Sequence, residues 1–301
     1  MVNGPALGDV RLSDGRRLAF IDYGDPLGHP VIFIHGFGES ALFRHWDDHV
    51  AAKWGLRMIA PHLPGIGGSS RSAGRTLTQW ARDCEEFANT LGLDRFLLAG
   101  HSAGGPHALA TAARLQGRVS RLVLVSPTGP IEGRSDIAMF RSRELRIMVR
   151  LCRAGLGGIV RALLAESGWA TRLNAGLALK IEASMYRADR TALLEPAEQR
   201  ALNETALLQG MGQAPGGTYD TLAAVVAPWG FDLSDVRQPT HVFLGEADNL
   251  VSPGMIERLV ARLPDARLNR WPDLGHFGFL RAGPWGEVMQ ALAKGAAPIP
   301  R

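Results

Sequence analysis

Cysteine and lysine are scarce in this 301-residue sequence. Two cysteines, Cys84 and Cys152, cannot build a disulfide framework. Neither has Cys or His neighbours at ligand spacing, so no metal is expected and both read as reduced core residues. Lysine occurs only at Lys53, Lys180 and Lys294, and the net charge of +4 rests almost wholly on arginine. No recognition motif accompanies that charge, so no nucleic-acid partner is expected. Long apolar runs are also missing: Arg, Asp, Gly or Pro interrupts every candidate before the roughly 18 to 20 residues that cross a bilayer. No integral membrane association is expected. Met1 to Phe20 meets Asp9, Arg11, Asp14, Arg16 and Arg17 before a secretory apolar core could form, which makes the cytoplasm the expected compartment. Internal repeats and low-complexity segments are absent. With 46% hydrophobic and 21% charged residues, the composition is globular, and the length suits one large core or a core with a smaller appendage.

The first stretch, Asp9 to Tyr23, alternates apolar and polar residues around Ser13-Asp14-Gly15 and predicts a β-hairpin. Val31 to Ile34 is a continuous apolar run of the kind buried on both sheet faces, and similar runs recur at Leu56–Ala60, Phe96–Ala99, Leu122–Val125 and Val242–Leu244. Between them lie expected helices at Ala41–Trp54, Leu77–Leu91 and Ala103–Leu115. Such alternation predicts an α/β fold with a parallel sheet and helices on both faces. It stops after Ser126-Pro127, where only helical patterns follow, among them Ile137–Cys152 and Trp169–Ala188. It resumes at Pro239, with a helix at Met255–Leu263, a strand at Ala266–Trp271 and a last helix near Trp285–Lys294. The expected organisation is a core of residues 1–127 and 228–301 with a helical cap inserted at 128–227.

The run Ala99-Gly100-His101-Ser102-Ala103-Gly104 places a serine between glycines after a strand and before a helix. That is a GxSxG nucleophile elbow in its required context. Three further features accompany it. His35-Gly36-Phe37-Gly38 ends an early strand, Gly245-Glu246-Ala247-Asp248 supplies a carboxylate after a late one, and Gly275-His276 supplies a histidine after the last. On these motifs the sequence resembles the α/β-hydrolase family over nearly its whole length apart from the cap. The resemblance implies a mostly parallel eight-stranded sheet and a Ser102, Asp248, His276 triad in the family's order. It also implies an oxyanion hole made by the backbone amides of Phe37 and Ala103.

Serine is a weak nucleophile at its free pKa, so a base must take its proton and an acid must orient that base. The expected activity is a serine hydrolase, carboxylesterase-like, cleaving a small or medium apolar ester with no cofactor. A serine elbow argues against the family's epoxide hydrolases and haloalkane dehalogenases, which use aspartate there. Carbon–carbon bond hydrolases, lactonases, proline-releasing peptidases and perhydrolases share the triad, and some members are receptors that turn over slowly. The partner expected is therefore a small-molecule substrate, with the oligomeric state left open.

Other residues compete for roles. His101 is expected to turn away from the serine's face, and His35 to brace the oxyanion loop. Glu246 and Asp273 are rival acids. His62 stands where the family's DxPGxGxS loop usually has aspartate. Trp46, Phe140, Trp169 and Phe277 are candidates for the substrate pocket, and His45 and Trp80 for its border. Arg143, Arg146, Arg150 and Arg153 share one helix face, the pattern of a solvated surface or of contact with an anionic substrate or membrane. The cap's apolar positions Phe140, Ile147, Leu151, Trp169, Leu177 and Met185 are expected to pack over Ser102.

Overall fold

The computed structural model describes residues 6–294, so residues 1–5 and 295–301 of the expected core lie outside the described residues. The N-terminal hairpin pairs β1 (Ala6–Arg11) with β2 (Arg17–Gly24) from Ala6↔Asp22 to Arg11↔Arg17. Then follow β3 (His29–Ile34), α1 (His49–Lys53), β4 (Leu56–Pro61), α2 (Leu77–Thr90), β5 (Phe96–His101), α3 (Gly104–Arg114) and β6 (Val119–Val125). Seven helices come next: α4 (Arg134–Ala138), α5 (Arg143–Arg153), α6 (Gly157–Leu173), α7 (Ala175–Met185), α8 (Arg190–Leu194), α9 (Ala197–Leu207) and α10 (Pro215–Val226). The chain closes with β7 (Thr240–Gly245), α11 (Pro253–Val260), β8 (Ala266–Trp271) and α12 (Ala282–Ala293).

The eight strands form one sheet in the order β1-β2-β4-β3-β5-β6-β7-β8. Only the two pairings of β2 are antiparallel. Successive side chains of the central strands enter different cores, as their period of two requires. Ile32, Ile34 and Leu98 join the cluster of Trp80, Phe87 and Leu109, while Val31, Phe33 and Leu97 join that of Trp285 and Met289. Helices therefore cover both faces, and the parallel strands all deliver their following loops to one edge of the sheet.

Three expected helices differ. Of Ala41–Trp54 only His49–Lys53 is helical. Ahead of it, local groups claim the amides a helix would use: Ser40 O accepts from Phe43 N at 2.9 Å, His45 Nδ1 from Asp47 N at 3.1 Å, and Asp47 Oδ1 from His49 N at 3.0 Å. Ile137–Cys152 is broken at Phe140-Arg141, which runs extended against Val251 and Leu250 before Ser142 Oγ caps α5 by accepting from Leu145 N. Trp169–Ala188 is broken at Asn174, whose Oδ1 accepts from Leu177 N at 2.8 Å and starts α7. The expectation that the apolar positions of the inserted helices are all covered also fails. Phe140 is buried and Leu151 half-buried, but Ile147, Trp169, Leu177 and Met185 are exposed. The inward positions of α5 and α6 are taken instead by Val149, Val160 and Leu164.

Candidate active site

Ser102 sits in the turn between β5 and α3 with φ of 52°, a left-handed conformation that costs a non-glycine residue energy. The turn is tight because α3 passes against β3: a Cβ on Gly104 would collide with the Ile34 carbonyl, and one on Gly100 with the Gly104 carbonyl. Val125 O accepts from Ser102 N at 2.9 Å, and Ser102 O accepts from Gly105 N at 3.0 Å, so the strained residue is held from both sides. Its hydroxyl faces a cavity of about 670 Å³ between the sheet's edge and the helices α5, α6 and α7. Phe37 and Ala103 border the same cavity, and among the described residues neither amide donates to a protein acceptor.

His276 and Asp248 are almost wholly buried, with His276 Nδ1 2.7 Å from Asp248 Oδ2. The other oxygen of Asp248 accepts from Leu250 N at 2.8 Å and Val251 N at 2.9 Å. Arg141 donates to the Asp248 carbonyl at 2.6 Å, tying the acid loop to the helical segment. Burial pushes the His276 pKa down, but the charge and hydrogen bond of Asp248 outweigh it and leave it raised. His276 borders the cavity with Ser102, and no hydrogen bond joins the two in this structure. Neither rival acid comes near the imidazole in this way: Glu246 pairs with Arg270 at the surface, and Asp273 is exposed.

The loop that follows β3 is braced by buried polar side chains. Gly36 N donates to Glu39 Oε2 at 2.7 Å, and Leu63 N donates to His35 Nε2 at 3.0 Å, while His35 Nδ1 lies 3.0 Å from Gly36 O. With one nitrogen accepting, His35 is neutral, and burial holds its pKa far below the usual imidazole value. His62 accepts from Ala41 N at 3.2 Å, and burial pushes its pKa down to about 4. It fills the place of the usual aspartate as a neutral acceptor, and Gly67, φ 53°, leaves room for its ring. Phe140 and Phe277 line the cavity. Trp46, 39% exposed, and Trp169, 59% exposed, stand outside its wall, as do His45 and Trp80.

A sequence model described as the alpha/beta hydrolase fold matches residues 29–282, which include Ser102, Asp248 and His276. The chain belongs to the alpha/beta hydrolase family. Among curated relatives of this alpha/beta hydrolase is a pimeloyl-[acyl-carrier protein] methyl ester esterase from Aromatoleum aromaticum, 31% identical over 83% of this chain and 92% of that protein. A non-heme chloroperoxidase from Streptomyces lividans is 35% identical, but the match spans only 43% of this chain and 48% of that one. An esterase structure from Exiguobacterium antarcticum superposes with a TM-score of 0.71 at 21% identity, covering 95% of this chain and 98% of the other.

Two residues of this alpha/beta hydrolase escaped the sequence reading. Asp189, buried just before α8, accepts from Gly275 N at 2.9 Å and from Phe277 N at 3.0 Å, clamping the backbone on both sides of His276. Glu182, on α7, is half-buried in the cavity wall, where burial and the nearby Glu39 push its pKa up to about 7. Both lie in the inserted helices, far along the chain from the residues they face, and neither belongs to a motif. Among the described residues no cluster of His, Cys, Asp and Glu could hold a metal ion, and no helix is long and apolar enough to cross a membrane.

Proposed function

We propose that the protein is a serine hydrolase, carboxylesterase-like, that cleaves a small or medium apolar ester through an acyl-serine at Ser102. The observation that carries this reading is the buried Asp248–His276 pair at 2.7 Å, with its imidazole opening on the cavity that Ser102 faces. Ser102 Oγ attacks the ester carbonyl as His276 Nε2 takes its proton. Asp248 orients the ring and stabilises the imidazolium. The amides of Phe37 and Ala103, at the head of α3, receive the oxyanion, where two uncommitted N–H groups and the helix dipole favour negative charge. His276 then protonates the leaving alcohol, and water repeats the sequence to free the acid. The helices α4 to α10 act as a cap whose largely apolar wall excludes water and receives the acyl group. A cavity of about 670 Å³ suits a ligand of modest size.

A fluorophosphonate probe should label Ser102, and Ser102→Ala should lose at least about a thousandfold in turnover of an aryl ester. Full activity in that variant would sink the covalent mechanism. The same variants, tested on lactones and ring-cleavage products, separate ester hydrolysis from the other reactions of this triad, and a receptor would react once and stall.

A further inference from the structure

The helix α6 is apolar on the wrong side. Its inward face is made of small or modest residues, Gly157, Val160, Leu164, Gly168 and Thr171, and a Cβ on Gly168 would collide with the Met211 carbonyl, so nothing larger fits there. Its large residues point out. Ile159, Leu163, Trp169 and Leu173 are between 45% and 66% exposed and follow helical spacing along one stripe, interrupted once by Glu166. On the neighbouring α7, Leu177, Ile181 and Met185 continue the apolar surface at the i, i+4, i+8 positions. Nine of the thirteen large apolar side chains exposed among the described residues fall between Ile147 and Met185. Ordinary scattered surface residues would not cluster in this way.

Two further observations bear on what this face could meet. Ile181 and Met185 are more than half exposed and also line the catalytic cavity, as does Ala170 of α6, so the apolar surface borders the cavity. Residues 143–187 carry eight Arg and Lys against three Glu, and all of the eight except Arg146 are exposed. A second copy of the chain, packed face to face, would bring two such positive surfaces together. An anionic lipid surface satisfies both features, since it admits the apolar residues and attracts the exposed cations of the same helices.

We infer that the outer face of α6 and α7 docks on an anionic lipid surface, with the cavity mouth turned toward the lipid. Docking stands apart from the assignment of Ser102, because binding is read without hydrolysis. The full chain should co-sediment with phosphatidylglycerol vesicles at least about tenfold more strongly than with phosphatidylcholine vesicles, and added salt should weaken it. Trp169→Ser with Leu173→Ser should lose about tenfold or more of that binding. Because both side chains are exposed, turnover of a soluble aryl ester by this variant should match the parent, which shows that the fold survives. Equal binding to both vesicles, or none, overturns the inference. So does a concentration-dependent dimer that Trp169→Ser dissociates, which would make the face a contact between copies.

Discussion

In His276, burial and charge pull in opposite directions. Removing the ring from water favours its neutral form, yet Asp248 at 2.7 Å favours the imidazolium enough to raise the pKa above the ordinary 6.5. In the proposed mechanism only the neutral ring takes a proton from Ser102, so kcat/KM should rise with pH along a limb displaced to the alkaline side of 6.5. Asp248→Asn removes the charge that raises the pKa. Its limb should move to lower pH while kcat falls by about a thousandfold or more, because the ring loses its orientation. Asp273→Asn and Glu246→Gln should change little. A pH–rate series on one aryl ester distinguishes these outcomes, and an unmoved limb in Asp248→Asn would count against Asp248 as the partner in catalysis. His62 shows the limit of motif reading at this scale: the pattern marks it as a departure, and only its bond from Ala41 N shows how a neutral imidazole can serve as an acceptor there.

Among elements, the loop after β8 depends on a residue from the helices inserted between β6 and β7. Asp189 accepts both amides that flank His276, and Gly275 is glycine because a Cβ would strike the Asp189 carboxylate. Asp189→Ala would strand two buried donors at a cost of about 1–3 kcal/mol each, less whatever water enters. Tm should fall. Asp189 does not line the cavity, so if His276 is the base, kcat should fall more than KM rises, and Asp189→Asn, which keeps one acceptor, should recover part of both. A kcat equal to the parent's in Asp189→Ala would show that the loop holds itself. Strands β3 to β7 were legible because each carries a short continuous apolar run, and α2 and α3 were legible as the stretches between such runs. The breaks at Phe140-Arg141 and Asn174 were not legible, since the first depends on pairing with Val251, more than a hundred residues away.

At the scale of the whole molecule, the cavity's volume bounds the substrate of the proposed ester hydrolysis. Phe140, Val149 and Leu179 line the cavity that Ser102 borders, and a volume of about 670 Å³ leaves room for a short or medium acyl group. Soluble short-chain aryl esters should therefore be turned over faster than esters with about a dozen or more carbons, measured as kcat/KM across a chain-length series. Faster turnover of the long chains would mean that the cap opens into a groove. The sequence by itself determined the α/β class, the strand and helix alternation, and the order of Ser102, Asp248 and His276 along it. Each of these is written in short stretches of chain, where a turn, a buried run or a glycine acts on its immediate neighbours. Tertiary structure alone decided which of the inserted helices' faces meet the sheet's edge. The sequence pattern shows that α6 is apolar, but small residues pack inward against Met211 and leave Trp169 and Leu173 outside. That choice follows from how closely two backbones must approach, a distance set by residues remote in the chain.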